Sequence, residues 1–412
     1  MKGGNTLPSD LYDVIVVGAG PSGSHVAYEL ASLGYKVAVL EQKRAPGMSI
    51  CCTGIISQEC FDSFGITPDV ILARASSAKF FTPSGKWLRL ETERVQAYVV
   101  DRASFDQAVA AKAQSQGADC FFSSRVSDIA IKSDCAEVEA LCSGLKEIFK
   151  ARAVVLANGF NAKLCQRLGM GRIAHFAIGA QAEVETDNID EIEIYFSQQI
   201  APGFFAWLVP TKRTRALVGV IASSHARLYL NKLLVSSFCQ GKVVRGDRVR
   251  QKLIPLGTLP RTYGDRVLVV GDAAGQVKPS TGGGIYFGHL CAQMAAEVLS
   301  QALTSGDLTA AYLSRYQKGW KAKIGKELSI GYRARQLYSK LSDRRIEQIF
   351  QVIGSDGIAE SWLRSPDFSL DWHGKLIIAA LRHGIANHFS KPLYVPESRT
   401  REAGLDWEPT KL

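Results

Sequence analysis

The chain has 412 residues, 46% hydrophobic and 21% charged, with a formal net charge of +10. This composition excludes a disordered or fibrous protein and is enough for two lobes, while the basic balance suits nucleic acid, an anionic lipid surface or a phosphorylated small molecule. No stretch approaches the roughly 18 apolar residues of a membrane span, and the polar start of the chain does not read as a secretory h-region, so a cytoplasmic protein is expected.

Residues Tyr12 to Val17 read as a buried parallel strand, followed by Gly18-Ala19-Gly20-Pro21-Ser22-Gly23, a helix to about Leu33 and a second apolar run, Lys36 to Leu40, ending at Glu41. This is a βαβ unit of dinucleotide-binding type. Gly18 permits the tight turn, Gly20 lets a pyrophosphate approach the backbone, Gly23 lets the helix pack closely, and Glu41 can accept both hydroxyls of an adenosine ribose. A turn at Pro83-Ser84-Gly85 joins strands Lys79–Thr82 and Lys86–Leu90, and Tyr98-Val-Val-Asp101-Arg102 leads into a helix from Ala103 to Gln116. A strand at Ala153–Ala157 stops at Asn158-Gly159. Between about Phe176 and Ile221, alternating segments with aromatic residues indicate an antiparallel sheet. A last strand, Arg266 to Val270, runs into Gly271-Asp272-Ala273-Ala274-Gly275. A glycine run at Gly282-Gly283-Gly284 then precedes a helical remainder.

The nine cysteines contain no CxxC pair and the seven histidines no HExxH spacing, so neither a disulfide framework nor a metal site is expected. Asp272 at a strand end can hold a sugar-alcohol hydroxyl, and the glycine run offers backbone N–H groups to a flavin ring or pyrophosphate.

Together, Gly18-x-Gly20-x-x-Gly23 with Glu41, Asp101-Arg102-x-x-Phe105-Asp106, Ala157-Asn158-Gly159 and Gly271-Asp272-Ala273-Ala274-Gly275 resemble the FAD-containing oxidoreductases of the aromatic-hydroxylase type. Within that group the chain most resembles the geranylgeranyl reductases. Cys51-Cys52-Thr53-Gly54 is similar to the family's Cys-x-x-Gly loop, Pro279 to Phe287 resembles its flavin-proximal segment, and Trp320 with Gly325-Lys326-Glu327-Leu328 and Gly331 resembles its C-terminal helices. The resemblance implies FAD contacts from Ser22, Glu41, Cys51, Cys52, Gly54, Arg102, Val126, Asp272, Gly284 and Ile285, beside Gly18, Gly20 and Gly23. It also implies that Cys51, next to the flavin, relays a proton, contacts the flavin edge or bears on its redox behaviour. Cys52 replaces the glycine commonly found next in the family.

The family's substrate-side motif, aromatic-x-Trp-x-Phe-Pro followed by Gly-x-Gly, is partly copied by Phe205-Ala-Trp207-Leu-Val209-Pro210 and Gly219, with Ile221 at the second glycine position. By that resemblance Phe205, Trp207, Pro210 and Tyr286 contact the substrate. Residues 312–345 carry ten cations against two acids. This stretch suits an anionic phospholipid surface, a substrate phosphate or a solvated helix face; nucleic acid is a poor fit without a recognition module.

The expected fold is α/β. It has an FAD-binding Rossmann-like domain of the p-hydroxybenzoate hydroxylase type (residues 1–75, 98–160 and 262–300), an inserted antiparallel β-sheet substrate domain (76–97 and 161–261) and a C-terminal helical region (301–412). The implied activity is saturation of C=C bonds in a geranylgeranyl or polyprenyl chain, carried by a diphosphate or a glycerophospholipid, through hydride transfer from reduced flavin plus protonation. NAD(P)H or ferredoxin would supply the electrons, and the basic stretch would give peripheral contact at the inner membrane face. An FAD monooxygenase, or a prenyl reductase acting on a chlorophyll or menaquinone side chain, shares nearly all of these cofactor residues.

Overall fold

The computed structural model describes residues 11–187, 189–246, 248–355, 369–375 and 377–378. Apolar runs closed by glycine turns pair as a parallel sheet in the order Val267–Val269, Leu145–Leu156, Tyr12–Val17, Val37–Leu40 and Asp119–Phe121. These strands are continuous in hydrophobicity because both faces are covered. On one face, Val14 and Val16 pack with Val26 and Leu30 of the helix Pro21–Ser32 and with Ala292 of the helix Ile285–Ser305. On the other, Ile15 and Val17 pack with Ile129, Val138 and Phe149.

That second cover is made by the sheet itself. The first half of Leu145–Leu156 pairs antiparallel with Ala136–Cys142, which pairs with Ser124–Ile131, while its second half joins Tyr12–Val17 in parallel. The segment 124–142 is thereby hydrogen-bonded to this first, mostly parallel sheet. After the last parallel strand the chain makes a 3-10 turn at Gly271–Ala274.

A second sheet of eight strands runs Val243–Gly246, Phe176–Thr186, Arg215–Ala222, Ala206–Lys212, Ile192–Tyr195, Ser77–Phe81 and Trp87–Glu91, with Arg250–Pro255 also paired to Phe176–Thr186. Its early hairpin, near residues 77–91, enters the sheet through a parallel pairing of Ser77–Phe81 with Ile192–Tyr195. A three-stranded sheet of Ile55–Ser57, Ala97–Val100 and Ile71–Ala75 lies between the two larger ones. Side-chain alternation makes it a bridge: Val100 belongs to the nucleotide-side core, and Val99 to an apolar cluster with Trp207, Val209, Ile221 and Leu256 of the second sheet.

Helices Ala310–Trp320, Lys326–Tyr338 and Asp343–Ser355 follow, the first two joined by a π turn at Lys321–Gly325. Residues 356–368 and 379–412 of the expected helical region lie outside the described residues. Residues 369–375 return to the body, where the Glu327 carboxylate accepts the backbone N–H groups of His373 and Gly374 at 2.7 and 2.8 Å. Among the described residues no helix is long and apolar enough to cross a membrane.

Candidate active site

The cradle begins where Tyr12–Val17 ends. A side chain at Gly18, which has φ +106°, would place its Cβ 2.5 Å from the Ala157 carbonyl oxygen, and one at Gly23 would lie 2.1 Å from the Gly18 oxygen. Neither position tolerates a Cβ. A Cβ on Gly20, by contrast, would meet nothing within 4 Å. The strand–turn–helix is therefore packed tightly on both sides of one open backbone stretch. Pro21 opens the helix at its first turn, where its missing N–H costs no hydrogen bond, and Gly20 is the N-cap residue. The free N–H groups of that turn form an anion-binding helix terminus.

Glu41 is fixed before any ligand arrives. Its Oε2 accepts the Ala19 N–H at 2.9 Å and its Oε1 accepts the Lys43 N–H at 2.9 Å, holding the carboxylate at the end of Val37–Leu40. Val126 lines the same wall, on a strand anchored where Ser124 N–H donates to the Glu41 carbonyl at 2.8 Å.

These residues form one end of a cavity of about 710 Å³, within the range of small-molecule and cofactor sites. It is lined by Gly18, Gly20, Ser22, Glu41, Val126, Cys51, Cys52, Arg102, Asp272, Gly284, Ile285 and Tyr286. The structure thus brings together most of the cofactor residues read from the sequence, although they span more than half of the chain. Gly23 and Gly54 stand behind this wall: a Cβ on Gly54 would meet the Val100 oxygen at 2.4 Å and Arg102 Cγ at 3.2 Å. Their positions are set by packing, with no surface on the cavity.

At the far end, charges are held in ion pairs. Arg102 forks onto Asp106, with Nε and a terminal nitrogen 3.1 and 2.9 Å from Oδ1. Burial works against the Arg102 charge, but the Asp106 carboxylate and Cys52 hold the guanidinium above its ordinary value. Lys252 reaches from the second sheet to Asp272, Nζ to Oδ2 being 2.6 Å, and this carboxylate raises the lysine despite burial. Lys278 is paired with Asp371 at 2.7 Å.

Cys51 is half-buried at the seam of the two larger sheets, its Sγ 3.5 Å from the Arg250 carbonyl oxygen. Burial, reinforced by Cys52, pushes its thiol up to about 11, so it keeps its proton at neutral pH. The following residues clasp the second sheet: Thr53 Oγ1 lies 3.2 Å from Gln181 Oε1, and Gln181 Nε2 donates to the Cys52 carbonyl at 3.3 Å. Tyr286 is buried and its hydroxyl donates to the exposed Glu59 carboxylate. Burial is the main reason that this phenol is raised, with Glu59 adding to it.

The expected substrate residues divide. The Trp207 indole lies across Gly219, its cross-strand partner, where a Cβ would approach Cζ2 within 2.2 Å; Phe205 packs beside it at 6.0 Å between centroids. Ile221, at the second glycine position of the motif, is in the same cluster and faces Gly282 of the glycine run. Pro210 shares the strand parity of Ala206 and Leu208, which pack on the opposite face, so the structure does not bring it to Trp207. None of Phe205, Trp207 and Pro210 lines the large cavity. A second cavity of about 560 Å³ abuts this cluster, lined by Leu256, Pro279, Trp320, Leu328 and Tyr332, with Lys321 at its edge.

Sequence reasoning missed Lys252, Lys278 and Asp371. None sits in a glycine motif, and each reaches the cavity only through tertiary packing. The signal for Lys278 was its place one residue before the Pro279 segment; Lys252 and Asp371 had none.

The chain matches the family model described as "Lycopene cyclase protein" over residues 13–354. A digeranylgeranylglycerophospholipid reductase of Methanocaldococcus jannaschii is 30% identical over 365 residues, covering 85% of this chain and 93% of that protein. The chain belongs to the digeranylgeranylglycerophospholipid reductase family. A second member, digeranylgeranylglycerophospholipid reductase 2 of Methanothermobacter thermautotrophicus, is 32% identical and covers 83% of this chain and 91% of its own length. Among solved structures, a geranylgeranyl bacteriochlorophyll reductase-like protein of Thermoplasma acidophilum superposes with a TM-score of 0.81 at 21% identity, covering 92% of this chain and 98% of that one. The digeranylgeranylglycerophospholipid reductase family thus supplies the lineage, and that structure the fold. The open Gly20 turn, the fixed Glu41 and the volume of the cavity fit a dinucleotide such as FAD.

Proposed function

We propose that this protein is an FAD-dependent reductase that saturates C=C bonds in the geranylgeranyl chains of a glycerophospholipid. The observation that carries the reading is the continuity of one cavity from the Gly18–Gly23 cradle to the glycine run at Gly282–Gly284, in a chain about 30% identical to reductases named for that lipid. Gly20, Ser22, Glu41, Val126, Arg102 and Asp272 would hold the cofactor, and Cys51, Cys52, Gly284 and Ile285 would line its reactive end.

When bound and reduced, FAD would supply a hydride, two electrons with one proton, and saturation of a double bond needs one further proton. The protein must supply the rest. An isolated trisubstituted alkene is not electron-poor, so the site has to hold it dry and oriented while a proton reaches its second carbon. The apolar cluster of Trp207, Ile221 and Leu256, which meets the glycine run at Gly282, excludes water from that side. The second cavity, whose wall includes Pro279, would take prenyl chain, with Lys321 at its edge suited to the lipid phosphate.

Two residues with a protonated side chain line the large cavity, Cys51 and Tyr286. Burial raises both, the thiol to about 11 and the phenol further, so acidity does not choose between them. Tyr286 Oη, bonded to solvent-exposed Glu59, gives a route by which a proton enters from outside. NAD(P)H or ferredoxin would be the electron source. The exposed cations of helices Ala310–Trp320 and Lys326–Tyr338 would rest on anionic lipid at the inner membrane face.

Anaerobic addition of a geranylgeranylated glycerophospholipid to photoreduced protein tests the reading. Return of oxidised-flavin absorbance without oxygen is expected; a dependence on oxygen would instead assign a monooxygenase.

A further inference from the structure

The Lys278–Asp371 pair belongs to no dinucleotide motif, and Asp371 lies beyond the segment 13–354 matched by the family model. Both side chains line the large cavity, at 10% and 6% exposure. Lys278 Nζ donates to Asp371 Oδ1 at 2.7 Å and to the Leu370 carbonyl at 3.0 Å. Asp371 Oδ2 is buried and has no hydrogen-bond partner among the described residues. A buried carboxylate oxygen without a donor is expensive unless a ligand completes it.

The surroundings locate this vacancy of bonding. Lys278 N–H donates to the Gly283 carbonyl at 2.9 Å, and its Cε packs where a Gly283 Cβ would lie, 2.8 Å away. The pair therefore flanks the glycine run, at the end of the cavity opposite Glu41. Neighbouring Trp372 packs on Phe287, 5.3 Å between centroids, and the Glu327 carboxylate pins the next two backbone N–H groups. Asp371 thus lies on a segment docked against the body of the protein on its C-terminal side.

We propose that Lys278 and Asp371 form a cofactor-tuning site at the isoalloxazine end, with Asp371 Oδ2 accepting a hydrogen bond from a ring N–H donor. The inference rests on the FAD reading above. An isoalloxazine carries such a donor on its pyrimidine ring. Reduction adds negative charge at that end of the cavity, which an ammonium stabilises and a carboxylate opposes. Keeping both charges present holds the bound cofactor more strongly reducing than Lys278 alone would, which suits an electron-rich alkene.

The test is the midpoint potential of the purified FAD-loaded protein, measured by dye equilibration. Asp371→Asn should shift the potential positive and Lys278→Met should shift it negative. Opposite signs are what a purely structural pair does not give. Shifts of the same sign, or none, would overturn the proposal. Because either single change leaves a buried charge unpaired, the double variant K278M/D371L is measured beside them. It should keep a potential near that of the unaltered protein and bind FAD about tenfold more weakly through loss of one charged hydrogen bond. Unchanged FAD affinity in the double variant would also overturn the proposal. Unaltered protein that takes up no FAD would sink the functional reading itself, whereas loaded protein with unmoved variants sinks only this inference.

Discussion

Lys252 Nζ lies 2.6 Å from Asp272 Oδ2, joining a strand of the β-rich sheet to the turn that ends the last nucleotide-side strand. The lysine side chain is 45% exposed, toward a cavity that both sheets wall. One ion pair therefore joins the wall of the cavity to the seating of one sheet on the other, and on the proposed function it links cofactor binding to that seating.

Replacing Lys252 with Met should weaken FAD binding by about tenfold, the scale of one charge-assisted contact, and loosen the strand Arg250–Pro255. Fluorescence titration with FAD and amide hydrogen exchange across that strand check both parts. Unaltered affinity with unaltered exchange would mean that the pair is a surface contact without consequence.

Glu41→Ala should cost more. The carboxylate is already positioned by the Ala19 and Lys43 N–H groups at 2.9 Å, so its ribose contacts are made without reordering. A loss of about 10- to 100-fold in FAD affinity is expected from charged hydrogen bonds of roughly 1.5–3 kcal/mol, with little change in affinity for FMN. An equal loss for both flavins would point to a collapsed cradle.

The Cys51 thiol, pushed up to about 11 by burial, should resist alkylation at neutral pH. Its modification rate, read by peptide mapping after iodoacetamide, should climb as pH rises toward that value, since only the thiolate reacts. Rapid labelling at pH 7 would contradict the assignment of a protonated thiol. Cys51→Ala should retain FAD and slow turnover only modestly.

His289 sits under the helix Pro21–Ser32, fully buried, with its ring 4.0 Å from that of His25 and neither nitrogen bonded among the described residues. Burial, with a smaller effect of Lys112, lowers it to about 4. Its folded value is below its unfolded one, so the unfolded chain binds the extra proton first. The stability is fully present above about pH 6.5 and is lost as pH falls toward 4, by roughly 3 kcal/mol over that window. Urea denaturation of His289→Leu across this range should give a flatter slope than the unaltered protein; an identical slope would mean that the ring is already charged in the fold.

Trp207→Ala should destabilise the protein by about 3–5 kcal/mol, because the indole fills the space over Gly219 and no neighbour replaces it. Calorimetry checks this. Unchanged stability with selective loss of long-chain lipid binding would place the indole against the substrate rather than in the core.

Much of the cavity's lining was legible because its signals are local. Gly18, Gly20, Gly23 and Glu41 fall within one βαβ unit, where spacing alone dictates geometry, and Asp272 with Gly284 adjoin a strand and a helix start. The substrate side was harder to read. Phe205, Trp207 and Pro210 fall within one six-residue motif, yet strand alternation sends Pro210 to the other face, and Gly219 leaves the space that the indole fills. Lys252 and Asp371 were invisible for a different reason: their partners are 20 and 93 positions away, and a lone charged residue carries no period.

The most direct measurement is mass spectrometry of digeranylgeranylglycerophospholipid after anaerobic incubation with the reduced, FAD-loaded protein. The account predicts products heavier by successive pairs of hydrogens, one pair for each double bond. A lipid recovered unchanged, or one that gains oxygen when air is admitted, would contradict it.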